Sequence, residues 1–178
     1  EAGRRFRAGS AAGSAVVAFV HPGSGGSALG WPPERFGAVA ARLARRDGWR
    51  VFLTGGEDDG AAVAAAAAAA GPAVTSLAGR YDLRELLGVL SGGDLMIAPS
   101  TGPLHLAAAL GLAAVGVMSP VPVQSAARWG PLGPRARAVS PDVACPARLA
   151  CLGPRCALWN CMEGIDVEAV VAAALAAA

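Results

Sequence analysis

The chain has 178 residues, of which 54% are hydrophobic and 16% are charged, a composition that fits one globular domain and excludes a disordered or fibrous protein. The net charge is only +2, so the sequence predicts no nucleic-acid surface. All 15 basic residues are arginines, which excludes any chemistry that requires a lysine, such as a Walker-type phosphate clamp or a Schiff base.

The first half of the chain alternates between strand and helix patterns. Residues 1–14 are rich in Gly, Ala, Ser and Arg without periodicity, which predicts a linker or a frayed end. Short apolar runs predict strands at residues 15–20, 50–53 and 73–77. Helices are predicted at residues 32–46, 58–70 and 82–90, the last with Asp82 as its N-cap.

The second half begins with residues 95–127, which contain no Asp, Glu or Arg. Prolines and glycines divide this stretch into lengths too short for a membrane span, which favours a buried core. It predicts strands at 95–98 and 113–118 around a helix, and a sixth strand follows at 137–139. An irregular segment with four cysteines, residues 141–164, precedes a terminal helix at 167–178, so the predicted domain covers residues 15–178.

Alternating strands and helices predict an α/β fold with three layers, in which helices cover both faces of a doubly wound parallel sheet. In such sheets ligands bind beyond the carboxyl ends of the strands. The sequence therefore directs attention to the loops that follow each strand.

The loop after the fourth strand contains Ser100, Thr101, Gly102 and His105 and runs directly into a helix. A helix N-terminus presents unpaired N–H groups and a partial positive charge, which favour an anion such as phosphate. His105 lies one helical turn after Thr101, so we expect both side chains to face the same opening.

The loop after the first strand contains Gly23, Ser24, Gly25 and Gly26, whose backbone would allow close approach of a phosphate. A flexible turn is the alternative. A third interpretation is a dinucleotide fingerprint, because Gly23, Gly25 and Ala28 fit G-x-G-x-x-A. The prolines after Trp31 argue against it, since the helix cannot begin inside that motif.

Two histidines and three acids occupy the same edge of the predicted sheet. We expect His105 to contact a ligand and His21 to brace its loop. Glu57, Asp58 and Asp59 follow the second strand, where a carboxylate can accept hydrogen bonds from ribose. Equally, Asp58 and Asp59 can cap the helix that follows.

Four cysteines lie in residues 141–164, separated by five, four and four residues. None of these spacings is the tight C-x-x-C pair of zinc ribbons, so the sequence favours reduced structural thiols or one disulfide over a metal site.

The order and spacing of several motifs resemble the C-terminal half of glycosyltransferase family 9, the ADP-heptose:lipopolysaccharide heptosyltransferases of the GT-B fold. The matching stretches are residues 21–27 leading into WPPERF at 31–36, LTGG at 53–56, LAGR at 77–80, STGPLHLAAALG at 100–111, RWGP at 128–131 and CME at 161–163. The resemblance extends from about Val16 to the end of the chain and implies a Rossmann-like donor-binding domain.

In that family the C-terminal domain binds a nucleoside diphosphate sugar, here an ADP-heptose-like donor, without a further cofactor or a metal. The resemblance implies that Thr101, Gly102 and His105 hold the diphosphate, opposite Ser24 and its neighbouring glycines. It also implies that Glu57 or Asp58 meets the ribose and that Tyr81 lines the base pocket. The departing nucleoside diphosphate would be stabilised by helix N-termini and fixed donors.

Two positions depart from the family pattern. Leu29 stands where the family usually has a lysine that contacts the donor phosphates, and Ser100 stands where it usually has an aspartate. Arg35 or Arg80 would have to replace the lysine. A catalytically inactive nucleotide-binding or assembly module of the same fold is therefore the alternative hypothesis.

The resemblance also implies a second domain that receives a lipopolysaccharide-type acceptor and supplies the general base. The present sequence has no room for such a domain, so it is expected to be inactive by itself. A complete enzyme of this kind is expected in the cytoplasm, peripherally associated with the inner face of the inner membrane.

Overall fold

The computed structural model of the chain describes residues 1–9, 15–26 and 28–178. Within these ranges six parallel strands form one sheet in the order β3-β2-β1-β4-β5-β6. The strands are β1 Val16–Val20, β2 Trp49–Leu53, β3 Thr75–Ser76, β4 Leu95–Pro99, β5 Ala113–Val117 and β6 Ala136–Val139. The order reverses between β1 and β4, which makes the edge next to them the expected ligand site of a doubly wound sheet.

Helices cover both faces of the sheet and complete the predicted three layers. They are α1 Ala2–Gly9, α2 Pro33–Ala44, α3 Gly60–Ala70, α4 Leu83–Leu90, α5 Gly102–Ala109, α6 Ala126–Trp129 and α7 Val167–Ala177. Short 3-10 helices lie at Glu57–Asp59, Pro122–Gln124, Gly153–Arg155 and Cys161–Gly164. The predicted α/β fold is therefore confirmed, and no helix among the described residues is long and apolar enough to cross a membrane.

The core consists of two apolar layers, one on each face of the sheet. One layer joins alternate residues of the central strands to α2, α3 and α7 around Phe36 and Leu43. The other packs α4 and α5, the latter through Leu104, against Phe19 and Met96 of the sheet. β4 and β5 are buried along their whole length, which explains why residues 95–117 read as an almost continuous apolar run.

The predicted linker at residues 1–14 was wrong for Ala2–Gly9, which forms α1. Phe6 packs against Phe52 with ring centroids 5.2 Å apart, and the Arg7 guanidinium donates to Asp94 Oδ2 at 2.9 Å. One aromatic ring and one arginine thus hold a segment whose own pattern carries no helical signal. Residues 10–14 lie outside the described residues, so the prediction stays untested there.

The predicted N-cap of α4 is present. Asp82 accepts a hydrogen bond from the Glu85 amide at 2.8 Å, and Glu85 accepts one from the Asp82 amide at 3.0 Å. This reciprocal pair fixes the start of α4, and with it the turn that carries Tyr81, at the carboxyl edge of the sheet.

Candidate functional site

The loops after β1 to β5 form the carboxyl edge of the sheet, and three cavities open among them. We call residues 23–26 the glycine loop, residues 100–105 the threonine turn and residues 141–164 the cysteine segment. Of the twelve residues predicted to bind a donor, eleven line these cavities, and Arg80 does not.

The first cavity, which we call the acidic cavity, has a volume of about 360 Å³. Its wall combines the glycine loop with the loops that follow β2, β3 and β4. The predicted residues among its lining are Ser24, Gly25, Glu57, Asp58, Tyr81 and Thr101. Predicted residues from four separate stretches of the sequence therefore meet at one opening.

The second cavity, the threonine cavity, has a volume of about 390 Å³. Ser100, Thr101, Gly102 and His105 all line it. The expectation that Thr101 and His105 face one opening is thus met, because α5 begins at Gly102 and places His105 one turn after Thr101. Thr101 also lines the acidic cavity, so the two openings are neighbours.

The start of α5 offers fewer N–H donors than an average helix. Pro103 has no N–H group, and the Leu104 amide donates to the Thr101 carbonyl at 3.2 Å. The amide of Gly102 and the helix dipole then remain as the attraction for an anion. A Cβ built on Gly102 meets no atom within 4 Å, so the space beside this first helical residue is open.

The threonine cavity contains two residues for which sequence reasoning gave no role. Trp129 is 49% exposed, and its Nε1 donates to the Val123 carbonyl at 3.0 Å. Gln124 Oε1 accepts from the Leu29 amide and from Ser119 Oγ, both at 3.1 Å. Both follow β5, so the rule that ligands bind beyond strand ends was the signal for finding them.

His21 braces the loops, as predicted. It is 5% exposed, its Nδ1 lies 3.1 Å from Thr54 Oγ1, and its Nε2 lies 3.5 Å from Asp59 Oδ2. Burial lowers the pKa of His21 below its ordinary value, and the charge of Asp59 opposes this shift only in part. The imidazole therefore joins the ends of β1 and β2 as a neutral group near pH 7.

The sequence allowed the three acids after β2 either to cap the following helix or to contact a ligand, and the structure separates them. Asp59 Oδ2 accepts a hydrogen bond from the Gly56 amide at 2.9 Å and faces His21, so Asp59 has a structural role. Glu57 and Asp58 are exposed and line the acidic cavity. The structure therefore leaves these two carboxylates accessible to a ligand.

The glycine loop lies close against Asp59. A Cβ on Gly23 would stand 1.9 Å from Asp59 Oδ1, so any larger residue here would displace the Asp59 side chain. Gly25 and Gly26 have φ angles of 55° and 73°, in the left-handed region that favours glycine. Ser27, the end of the predicted loop, lies outside the described residues.

Neither arginine proposed as a substitute for the family lysine lines a cavity. Arg35 donates from Nη1 to the carbonyl of Glu163 at 2.6 Å and to that of Ile165 at 2.8 Å, so it holds the end of the cysteine segment. Arg80 is exposed in the turn before α4. Among the residues that line the three cavities, the basic side chains are those of His21 and His105.

The third and largest cavity, the cysteine cavity, has a volume of about 770 Å³. The glycine loop forms one side, and the cysteine segment forms the other. All four cysteines, which are half-buried free thiols, line it. Across the described ranges of the chain, no group of three or more His, Cys, Asp or Glu side chains is arranged to hold a metal ion.

The dinucleotide interpretation of the glycine loop does not fit this geometry. In that motif the pyrophosphate lies on the N-terminus of the helix that the glycines open. Here α2 begins only at Pro33, after a buried Trp31 whose Nε1 donates to the Ile165 carbonyl at 3.3 Å. The glycine loop therefore stands apart from the helix that such a cofactor requires.

Comparison with known proteins gives a family match. Residues 2–152 match the family model described as Glycosyltransferase family 9 (heptosyltransferase). A search of curated proteins by sequence found no match.

Several solved structures share the fold. The E. coli ADP-heptose lps heptosyltransferase II is similar with a TM-score of 0.65 and 22% identity, over 78% of this chain and 42% of that one. A glycosyl transferase family 9 protein from Veillonella parvula has a TM-score of 0.74 and 19% identity, over 97% of this chain and 49% of its own. The E. coli heptosyltransferase WaaC with ADP has a TM-score of 0.60 and 22% identity, over 71% and 38%. The chain thus spans less than half the length of these structures.

Proposed function

The chain belongs to glycosyltransferase family 9, and on that premise we propose that it binds the nucleoside diphosphate sugar donor of a glycosyltransferase. The donor class is ADP-heptose-like, because one structural relative was solved with ADP and another is an ADP-heptose lps heptosyltransferase. The acceptor, of lipopolysaccharide type, and the general base belong to a second domain in this proposal. The cytoplasmic location and the association with a membrane surface stay predictions.

The observation that carries the proposal is the position of the glycine loop opposite the threonine turn. Ser24, Gly25 and Thr101 line the same acidic cavity, and Thr101 continues into the threonine cavity beside His105. A diphosphate in this position receives the amide of Gly102 and the dipole of α5 from one side. Backbone amides of the glycine loop approach it from the other side.

In this proposal, the other residues of the acidic cavity contact the ribose and the base of the donor. Glu57 and Asp58 are exposed acceptors for ribose hydroxyls, and Tyr81, 37% exposed, offers an aromatic surface to a base. When the sugar is transferred, the leaving nucleoside diphosphate gains negative charge. Fixed amides and the helix dipole stabilise that charge without having to reorganise.

A catalytically inactive nucleotide-binding module is the second candidate, and the absence of a cation favours it. No arginine lines any of the three cavities, and the uncharged residues Leu29 and Ser100 occupy the positions of the family lysine and aspartate. Both candidates predict nucleotide binding, whereas only the first predicts sugar transfer when the second domain is present.

Isothermal titration with ADP tests the proposal, and Gly102→Ala is the informative variant. The new methyl group has open space in the free protein, so the fold should not change. It blocks the approach of a phosphate to the Gly102 amide, and losing one charge-assisted hydrogen bond costs about 1.5–3 kcal/mol, or about 10- to 150-fold in affinity.

Gly60→Ala is the matched control, because Gly60 is likewise the first residue of a helix and its Cβ also meets no atom within 4 Å. It lines none of the three cavities. We expect this variant to bind ADP like the original chain. The proposal is wrong if ADP does not bind at millimolar concentration, or if both variants weaken binding equally.

A further inference from the structure

The threonine cavity contains two side chains that the proposed function does not use. Thr101 and His105 on its wall serve the diphosphate, whereas Gln124 and Trp129 line the same cavity without a role in that proposal. Both come from the connection that follows β5, Gln124 from a short 3-10 helix and Trp129 from α6. This connection lies beyond the carboxyl end of a parallel strand, where ligands of doubly wound sheets bind.

Trp129 presents an exposed aromatic ring that is held in one orientation. Its Nε1 donates to the Val123 carbonyl at 3.0 Å, which ties the ring back to the turn before α6. The residue is nevertheless 49% exposed. The Arg128 guanidinium carbon lies 6.0 Å from the ring centre, at the outer limit of a cation–π contact, so it leaves ring surface uncovered. Trp129 therefore offers a fixed surface on which a ligand in the threonine cavity can stack.

Gln124 brings hydrogen-bond donors to the same cavity. Its Oε1 accepts from the Leu29 amide at 3.1 Å, and because a backbone N–H can only donate, this contact fixes which end of the side-chain amide faces Leu29. Ser119 Oγ donates to the same oxygen at 3.1 Å. Among the described residues, Nε2 has no hydrogen-bond partner, and no buried side-chain nitrogen there lacks one. Nε2 therefore reaches solvent and can donate to a ligand.

The lining of the threonine cavity matches an uncharged ligand with many hydroxyl groups. Among the described residues that line it there is no Asp, Glu or Arg. The wall instead combines hydroxyl groups, one side-chain amide and one aromatic ring. A sugar needs this combination, because its hydroxyls donate and accept hydrogen bonds while its C–H groups, which carry a small positive charge, suit the negative face of an aromatic ring.

We propose that the threonine cavity holds the sugar of the donor, with Trp129 stacked against the C–H face of the sugar ring and Gln124 Nε2 donating to one of its hydroxyls. This placement rests on the proposed function, in which the ribose lies in the acidic cavity at Glu57 or Asp58. Thr101 lines both the acidic and the threonine cavity. A diphosphate that passes Thr101 therefore carries its sugar into the threonine cavity.

Isothermal titration with ADP and with ADP-heptose separates the sugar from the nucleotide. The quantity to compare is the ratio of the dissociation constant of ADP-heptose to that of ADP, because effects on the nucleotide cancel in it. Trp129→Ala should raise this ratio at least about fivefold while the ADP constant changes less than about twofold. Gln124→Glu keeps an oxygen for the Leu29 amide but removes the donor, so the ratio should rise about 2- to 13-fold.

Trp159→Ala is the matched control, because Trp159 is 48% exposed and lines the cysteine cavity instead of the threonine cavity. Its ratio should equal that of the original chain. Trp129→Phe gives a second answer if Trp129→Ala disturbs the loop. It keeps an aromatic face but loses the N–H bond to Val123, so it should restore most of the original ratio, whereas a purely structural role of the indole N–H predicts no such rescue.

The sugar placement is overturned if Trp129→Ala leaves the ratio unchanged or weakens ADP and ADP-heptose equally. The second result would place the nucleotide, rather than the sugar, against Trp129. An equal rise of the ratio in Trp159→Ala would also overturn it. In each of these cases ADP still binds the original chain, so the proposed function stands. A chain that binds no ADP at all refutes the proposed function and the sugar placement together.

Discussion

Replacing Asp59 by alanine should destabilise the chain far more than replacing its neighbour Asp58. Asp59 Oδ2 accepts the Gly56 amide at 2.9 Å and lies 3.5 Å from His21 Nε2. Loss of the amide bond costs about 1 kcal/mol, by analogy with a helix N-cap. Leaving the buried imidazole nitrogen without its partner adds about 1–3 kcal/mol.

The expected total is about 3 kcal/mol, which lowers the melting temperature of a domain of this size by about 6–12 °C. Urea denaturation and calorimetry would measure both quantities. Asp59→Asn should recover about 1 kcal/mol, because its amide oxygen can still accept from Gly56. Asp58 is exposed, so Asp58→Ala should change stability by less than about 0.5 kcal/mol. Equal effects of Asp59→Ala and Asp58→Ala would refute the structural role of Asp59.

Three further predictions concern stability and the cysteine segment. Folding lowers the pKa of His21 below its ordinary 6.5, so the unfolded chain takes up a proton before the folded chain does as the pH falls. The free energy of unfolding should therefore decrease below about pH 6.5. Denaturation curves at pH 7.5 and 5.5 measure this decrease, and the His21 contribution to it should be missing in His21→Gln. Gly37→Ala places a Cβ 2.1 Å from the Ala66 carbonyl oxygen where α2 crosses α3, so this variant should lower the free energy of unfolding by about 1–3 kcal/mol. Equal melting temperatures for Gly37→Ala and Gly60→Ala would contradict this packing. Arg35→Met removes two hydrogen bonds that hold the end of the cysteine segment, and each bond from a charged group contributes about 1.5–3 kcal/mol. Limited proteolysis should therefore cut this segment several-fold faster in the variant. An unchanged rate of cleavage would show that Arg35 does not hold the segment.

The central strands could be predicted because fully buried strands appear in the sequence as continuous apolar runs. β4 and β5 are buried on both faces, so they read as unbroken apolar runs between glycines and prolines. β3 was predicted over five residues but has only two, Thr75–Ser76, because it pairs on one side with β2 alone. An edge strand of this kind has a weaker pattern.

The candidate site could be predicted where its residues follow a strand directly. Thr101 and His105 are positioned by the single turn between β4 and α5, so their spacing alone brought them together. Gln124 and the cysteines could not be placed in this way. They lie in loops and short 3-10 helices whose paths depend on contacts with Leu29 and Arg35, which are distant in sequence.

The N-terminal helix could not be predicted either, because contacts distant in sequence hold it. Residues 2–9 have no apolar periodicity, and α1 is held by Phe6, which packs on Phe19 of β1, and by Arg7, which donates to Asp94 just before β4. Local propensity is a weak signal when tertiary contacts decide the outcome.

A crystal structure of the chain with bound ADP tests the central claim most directly. The account predicts the diphosphate between the glycine loop and the start of α5, within hydrogen-bond distance of the Gly102 amide, with the ribose toward Glu57 or Asp58. ADP bound in the cysteine cavity away from Thr101, or at the opposite edge of the sheet, would contradict it.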